Sequence, residues 1–339
     1  MQRGTLIPRT ILILLAFALA ATLGAQDKKE KKEEEKKNAA DFPAVIWRDP
    51  GDVSTLDMLN GSGGKEHAPD PDAEYKFLQE DMNGTSPKFD VEDAKGVKWR
   101  IKLGQEPQSE TAATRLLWAA GYFVDDDYFL AQVKVTGLPK LRRGGKFVSE
   151  DGTVHRARLE RKPKDRKKLG DWDWFHNPFV GTKELNGLRV MMALVNNWDL
   201  KAINNSIYAV EGERWYLVSD VGASFGKTGD SISRSKGVYK DYIDSKFVEK
   251  IKDDRVDFVM HSRPFFLTAV NVGNYETRAH MEAVTKDIPR EDAKWLGQRL
   301  AQLSESQIKD CFRAAGYPPD EVDGYAKEVQ KRIAALNAL

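Results

Sequence analysis

The stretch that most constrains what this chain can fold into is 196–226, NNWDLKAINNSIYAVEGERWYLVSDVGASFG. Asp199 and Asn204 stand five apart, Arg214–Val218 reads as a strand from its aromatic and β-branched residues, and Asp220 follows at once in S-D-V-G. A loop, a strand and a second loop thus carry two carboxylates and an amide, donors suited to a hard divalent cation and to a hydroxyl proton. Each loop taken alone is also what turn-forming Asp and Asn produce. Thr182 is an N-cap candidate for a helix over 183–196, whose Leu185, Leu188, Met192 and Val195 form one stripe and deliver the chain to Asp199.

Upstream, Tyr75–Asp81 and Lys88–Val91 are expected as short strands joined by Asn83-Gly84-Thr85-Ser86-Pro87, and Val97–Leu103 as a third strand. That turn offers a glycine, two hydroxyls and a following Lys88, which can close over phosphate; a plain surface hairpin is the other reading. In V-K-W-R-I-K-L, Val97, Trp99, Ile101 and Leu103 share one face while Lys98, Arg100 and Lys102 share the other. Pro107 suits a first helical turn and Gly121 the position just past a helix end. A helix therefore starts close behind the strand, with Glu110, or its rival Glu106, in reach of Lys102. Tyr128–Val135 and Val154–Arg161 read as two more strands. Gly61-Ser62-Gly63-Gly64 lacks a strand before it and a helix after it, which argues against a phosphate cradle.

Trp172, Trp174, Phe175 and Phe179 read as packing residues. Residues 240–285 are expected to be mostly helical, followed by amphipathic helices over 289–303, 304–315 and 319–339, the second opened by Ser304 with Gln307 three residues on. The single cysteine, Cys311, falls on a helical pattern with Gln307 and Ala315 and reads as a buried small hydrophobe.

Arg3 and Arg9 precede an apolar run, Ile11–Leu23, and then Gly24 and Ala25, so residues 1–25 read as a signal peptide for export to a periplasmic or secreted location. The run is shorter than the roughly 20 residues that span a bilayer, so no transmembrane span is expected in the mature chain. Residues 26–41, which include DKKEKKEEEKK, read as a charged disordered linker. The formal net charge of +1 gives no reason to expect nucleic acid as a partner. Leu138–Lys168 is locally basic, with twelve Lys or Arg against four Asp or Glu. It reads as solvated loop, or as a rim for an acidic protein, an anionic glycan or a lipid headgroup.

D-L-K-A-I-N, the strand and D-V-G resemble the catalytic and metal-binding loops of the protein-kinase-like superfamily. Asn197, Trp198 and Val221 depart from the usual His, Arg and Phe, and move the resemblance toward the atypical branch of HipA-type, phosphatidylinositol and secreted Golgi kinases. The resemblance implies an α+β, two-lobed fold: a small antiparallel sheet with one helix over 42–165, and a mostly helical lobe over 166–339. It implies ATP and Mg2+ as cofactors and transfer of the γ-phosphate to a hydroxyl. Asp199 would be the base and Lys201 would steady the phosphoryl group. Asn204 and Asp220 would hold metal, Gly84, Thr85, Ser86 and Lys88 would meet phosphates, and Lys102 would be held by Glu110. A catalytically silent binding module, nucleotidyl transfer, and a non-kinase protein that binds anionic polymers remain open.

Overall fold

The computed structural model describes residues 39–228, 234–260 and 272–339. Residues 1–25, read as a signal peptide, and nearly all of 26–41, read as a charged linker, lie outside the described residues, as does part of the polar stretch that follows Asp220.

After a two-residue strand β1 (Ala44–Val45) come β2 (Glu74–Asp81), β3 (Lys88–Glu92), β4 (Lys98–Lys102), β5 (Asp127–Thr136) and β6 (Thr153–Arg161). These last five close into a barrel in the order β2-β3-β4-β6-β5. All its pairings are antiparallel except the β2–β5 seam, where Tyr75 faces Val135 in parallel register. The expected small antiparallel sheet is therefore corrected to a closed barrel with one parallel seam. Closure removes both sheet edges, and the interior fills with Tyr75, Phe89, Val91, Trp99, Ile101, Val133 and Leu159.

Helix α1 (Glu106–Ala119) connects β4 to β5. Its first turn contains Pro107, and Gly121 stands past its end at φ +95°. A Cβ there would sit 2.4 Å from Arg48 O, so only glycine fits. Strand β7 (Lys167–Gly170) leads to α2 (Lys183–Leu194), whose N-cap Thr182 accepts from Leu185 N at 3.2 Å.

Strands β8 (Asn205–Val210) and β9 (Glu213–Val218) then form a hairpin, and the sheet order is β1-β9-β8-β7. Its turn residues Glu211 and Gly212 both have positive φ, 50° and 81°, the tight turn whose twist matches antiparallel strands. Only β9 was legible in the sequence.

The expectation of mostly helix over 240–285 is also corrected. A one-turn helix α3 (Tyr239–Ile243) is followed by a hairpin of β10 (Val248–Lys252) and β11 (Arg255–Phe258), then by α4 (Val272–Ala283). Strand β12 (Ile288–Pro289) extends that small sheet before α5 (Arg290–Leu300), α6 (Glu305–Ala314) and α7 (Pro319–Asn337). The capping box at Ser304 and Gln307 is formed, and Cys311 is buried.

One large core joins the inner face of α1 to α2, α5, α6 and α7, apart from the barrel core. Phe312 stacks on Tyr325 with ring centroids 4.7 Å apart, and both meet Phe225. Each such buried side chain contributes about 1.5–3 kcal/mol. The chain beyond Asp220 is thereby anchored near the site through Phe225. Among the described residues no helix is long and apolar enough to cross a membrane.

Candidate active site

Lys102 ends β4, and its ammonium is the point where three elements meet. Nζ lies 2.8 Å from Glu110 Oε2 and 3.0 Å from Glu106 Oε2, both on α1, and 3.2 Å from Asp220 Oδ1 beyond β9. The local cause is a connector of only Leu103-Gly104-Gln105, with Gly104 at φ +110° making the bend. Helix α1 thus opens beside Lys102, and residues four apart share a helix face. The two rival carboxylates are both partners. Arg158 lies directly across from Lys102 in the β4–β6 register. Its Nη1 is 3.0 Å from Glu110 Oε1 and its Nη2 is 2.7 Å from Glu160 Oε2.

The β8–β9 hairpin brings the two loops of the 196–226 stretch together. Ser219 N and Asp220 N donate to Asn204 O at 2.8 and 3.2 Å. Asn204 Nδ2 donates to Asp199 O at 2.7 Å, which commits its amide NH2 and leaves Oδ1 as the end able to take a cation. Asp199 N donates to Asn197 Oδ1 at 3.1 Å, and the Asp199 carboxylate lies 2.6 Å from Lys201 Nζ. Gly222 passes so close to α1 that a Cβ would sit 2.8 Å from Glu106 Cβ, and Ser109 Oγ donates to Gly222 O at 2.7 Å.

The turn between β2 and β3 is tied to the same node. Ser86 Oγ donates to Glu106 Oε2 at 2.7 Å, while Arg143 donates to Gly84 O at 2.6 Å and to Asp81 O at 2.9 Å. A cavity of about 360 Å³ lies between barrel and hairpin. Gly84, Lys88, Lys102 and Arg158 line it from one side, Asn204 and Asp220 from the other. Asp125, Lys162 and Tyr208 also line it. Thr85, Ser86, Glu110, Asp199 and Lys201 are not on its lining.

Burial alone would pull the Lys102 ammonium down, but Glu110, Asp220 and Glu106 outweigh it and hold it above the ordinary lysine value. Burial pushes the Glu110 carboxyl up to about 8, against the pull of Arg158 and Lys102, with Asp220 and Glu106 adding to the rise. Glu106 goes the other way: burial works against it, yet Lys102, Lys236 and Ser86 bring it down to about 2. Burial and Glu160 push Asp125 up to about 6.

Sequence reasoning missed three parts. Arg158, on the expected strand 154–161, sat inside a basic run that read as solvated loop or as a rim for an anionic partner, and no role at the site was assigned to it. Lys236 returns from beyond Asp220 to bind Glu106, with no local signal. Arg332 of α7, 1% exposed, binds Leu194 O at 2.9 Å, Asn196 Oδ1 at 2.8 Å and Ser245 Oγ at 2.7 Å, fixing the turn that leads from α2 to Asp199. Asn196 itself has φ +56°, which Asn tolerates better than most residues.

Several of the twelve cations of 138–168 are engaged by partners within the chain. Arg143, Arg156, Arg158, Lys162, Arg166 and Lys168 bind Gly84, Gln108, Glu110, Glu160, Asp125 and Asp171 respectively. The Gly61–Gly64 cluster packs against Arg115 and Tyr128 and lies off the cavity.

No protein-family model and no curated protein matches this chain. Among solved structures it is similar to the Helicobacter pylori proinflammatory kinase CtkA, at 10% identity and a TM-score of 0.42 over 78% of this chain and 96% of that one. It is also similar to the Golgi casein kinase with Mn and ADP bound, at 9% identity and 0.41 over 78% and 71%. The amicoumacin kinase hAmiN in complex with AMP-PNP, Ca2+ and Ami follows at 11% and 0.23 over 76% and 88%. Likenesses this distant do not say which residues act, so the site is read from its own geometry.

Proposed function

We propose that this protein transfers the γ-phosphate of ATP to a hydroxyl of a protein, glycan or lipid, on a two-lobed kinase-like framework whose lobes are 42–165 and 166–339. One observation carries the reading. The Lys102 ammonium lies within 3.2 Å of carboxylates from α1 and from the loop after β9, at one end of a cavity that also holds Lys88, Gly84 and Asn204. A buried cation pinned by carboxylates, with metal-type oxygen donors alongside, is the arrangement phosphoryl transfer uses to hold and neutralise phosphate oxygens. In this reading Asn204 and Asp220 hold Mg2+, and their amide and carboxylate oxygens are the hard donors that ion prefers. Bound there, the ion would neutralise charge on the phosphates. Asp199 takes the acceptor hydroxyl proton and Lys201 steadies the transferred group.

Isothermal titration of ATP with and without Mg2+ tests the proposal. Binding that needs the metal and is lost in Asp220→Ala supports it; binding indifferent to chelator and to Asp220→Ala overturns the metal assignment. A silent nucleotide-binding module is the second reading. It is favoured by Asp199 lying off the cavity lining with its carboxylate 2.6 Å from Lys201.

A further inference from the structure

A second cavity, of about 300 Å³, backs onto the first. Consecutive residues divide between them: Asp125 lines the first, while Val124 and Asp126 line the second. Half-buried aromatics make its wall. The rings of Phe123 and Trp215 stack with centroids 4.3 Å apart and planes 10° from parallel, and Trp118 joins them. The stacked pair and Trp118 together form an apolar surface at the opening, of the kind that ligands cover. The volume suits a molecule of one or two rings.

The charges around this wall differ in how firmly they are held. Arg166 lies 5.7 Å from the Trp215 ring centre and 2.8 Å from Asp125 Oδ1. Asp126 accepts from Ser62 Oγ at 2.8 Å and lies 3.0 Å from His67 Nδ1. Asp49 is 3.1 Å from Arg299. Arg48 lies at the rim of the stacked pair, 5.5 and 5.9 Å from the centres of the Phe123 and Trp215 rings, and its 2.7 Å pair with Glu213 is 56% and 29% exposed. An exposed pair of that kind contributes little and exchanges readily. The cavity therefore offers an aromatic wall with one exchangeable guanidinium at its rim.

We propose that this cavity is a binding site for a small planar aromatic anion, packed against the wall of Trp118, Phe123 and Trp215 with its carboxylate on Arg48. The full chain is titrated with indole-3-acetate as probe, and with neutral indole-3-acetamide and cationic tryptamine, by calorimetry and saturation-transfer NMR. Indole-3-acetate is expected to bind saturably, with the other two weaker by about tenfold or more, the scale of a charge-assisted hydrogen bond. Arg48→Gln, at an exposed position, should weaken indole-3-acetate by a similar factor. Asp220→Asn, which alters the first cavity, should leave it unchanged. The proposal is overturned by absence of saturable binding, by equal binding of all three probes, by indifference to Arg48→Gln, or by loss in Asp220→Asn, which would put the probe in the first cavity. None of these outcomes depends on ATP turnover.

Discussion

Glu110 gives a test of the buried charge network that needs no substrate. Its carboxyl is fully buried and pushed up to about 8 from an ordinary 4.5. The folded state then holds a proton that the unfolded chain releases above about pH 4.5. Because folded binds more protons than unfolded between those values, stability falls as pH rises from about 4.5 through about 8. At about 1.4 kcal/mol per unit the full shift corresponds to roughly 4–5 kcal/mol, and water penetration and side-chain relaxation reduce the expected loss to about 2 kcal/mol. Asp125, pushed up to about 6, contributes the same sign but completes its change near pH 6. Glu106, held down to about 2, adds stability above 4.5 that is lost only as pH falls through about 2. The interval from pH 6.5 to 9 therefore isolates Glu110 among these three.

Urea denaturation in chelator at pH 6.5 and 9, on wild type and Glu110→Gln, reads the effect. Neutral Gln imitates the protonated acid and does not ionise in the unfolded chain either, so at pH 6.5, past about two of the roughly three and a half pH units, wild type should already be about 1 kcal/mol less stable relative to the variant. At pH 9 wild type should have lost about 2 kcal/mol relative to the variant. If Glu110→Gln is instead destabilised by 3 kcal/mol or more at both pH values, the carboxylate is ionised throughout. Lys102 and Arg158 would then outweigh burial, as in an ordinary buried ion pair, and the reasoning fails.

Three further outcomes are expected. Asp199→Asn should leave ATP affinity within about twofold while lowering phosphoryl transfer by about 100-fold or more, the scale of a lost general base, measured by radiolabel transfer to an acceptor panel. Gly222→Ala should destabilise the protein by about 1–3 kcal/mol in thermal or urea melts, because the new methyl meets Glu106 Cβ at 2.8 Å. Exported protein analysed by intact mass spectrometry should lack Arg3 and Arg9; a retained leader would favour an anchored form.

How much of the fold was legible depended on whether the deciding interaction was local. Pro107, Gly121, Thr182 and the Ser304 box mark helix ends through their own backbone geometry, and those helices are where the sequence put them. Barrel closure is different, since nothing in Glu74–Asp81 encodes that its free edge will meet β5 in parallel. Strand β8 was hidden because Asn205 and Ser206 look like loop residues. Both are buried, and Asn205 Nδ2 donates to Trp172 O at 3.0 Å, a partner 33 positions away. The β10–β11 hairpin was missed because its turn is Asp253-Asp254 rather than a glycine pair, and its strands carry charges on their exposed face.

The candidate site shows the same division within single side chains. Alternation in V-K-W-R-I-K-L assigned Trp99 and Ile101 to one face and Lys102 to the other, and the barrel core holds the first two. Alternation alone would leave Lys102 in solvent, yet it is 4% exposed, because α1 starts three residues later and covers that face. The same cover buries Arg158 and Glu160, which belong to the outward row of β6 while Ala157 and Leu159 fill the barrel. A strand buried on both faces normally reads as continuously apolar; here the second face is buried by polar and charged groups meeting one another. Glu110, Thr114 and Arg115 on α1 answer Lys102, Arg158 and Asp127 on the barrel. Such a match is invisible along either segment and is seen only when both are read together. The Arg115–Asp127 ion pair within it is costly to break on one side, so the position of α1 is set by the same network that holds Lys102 and Arg158 at the cavity.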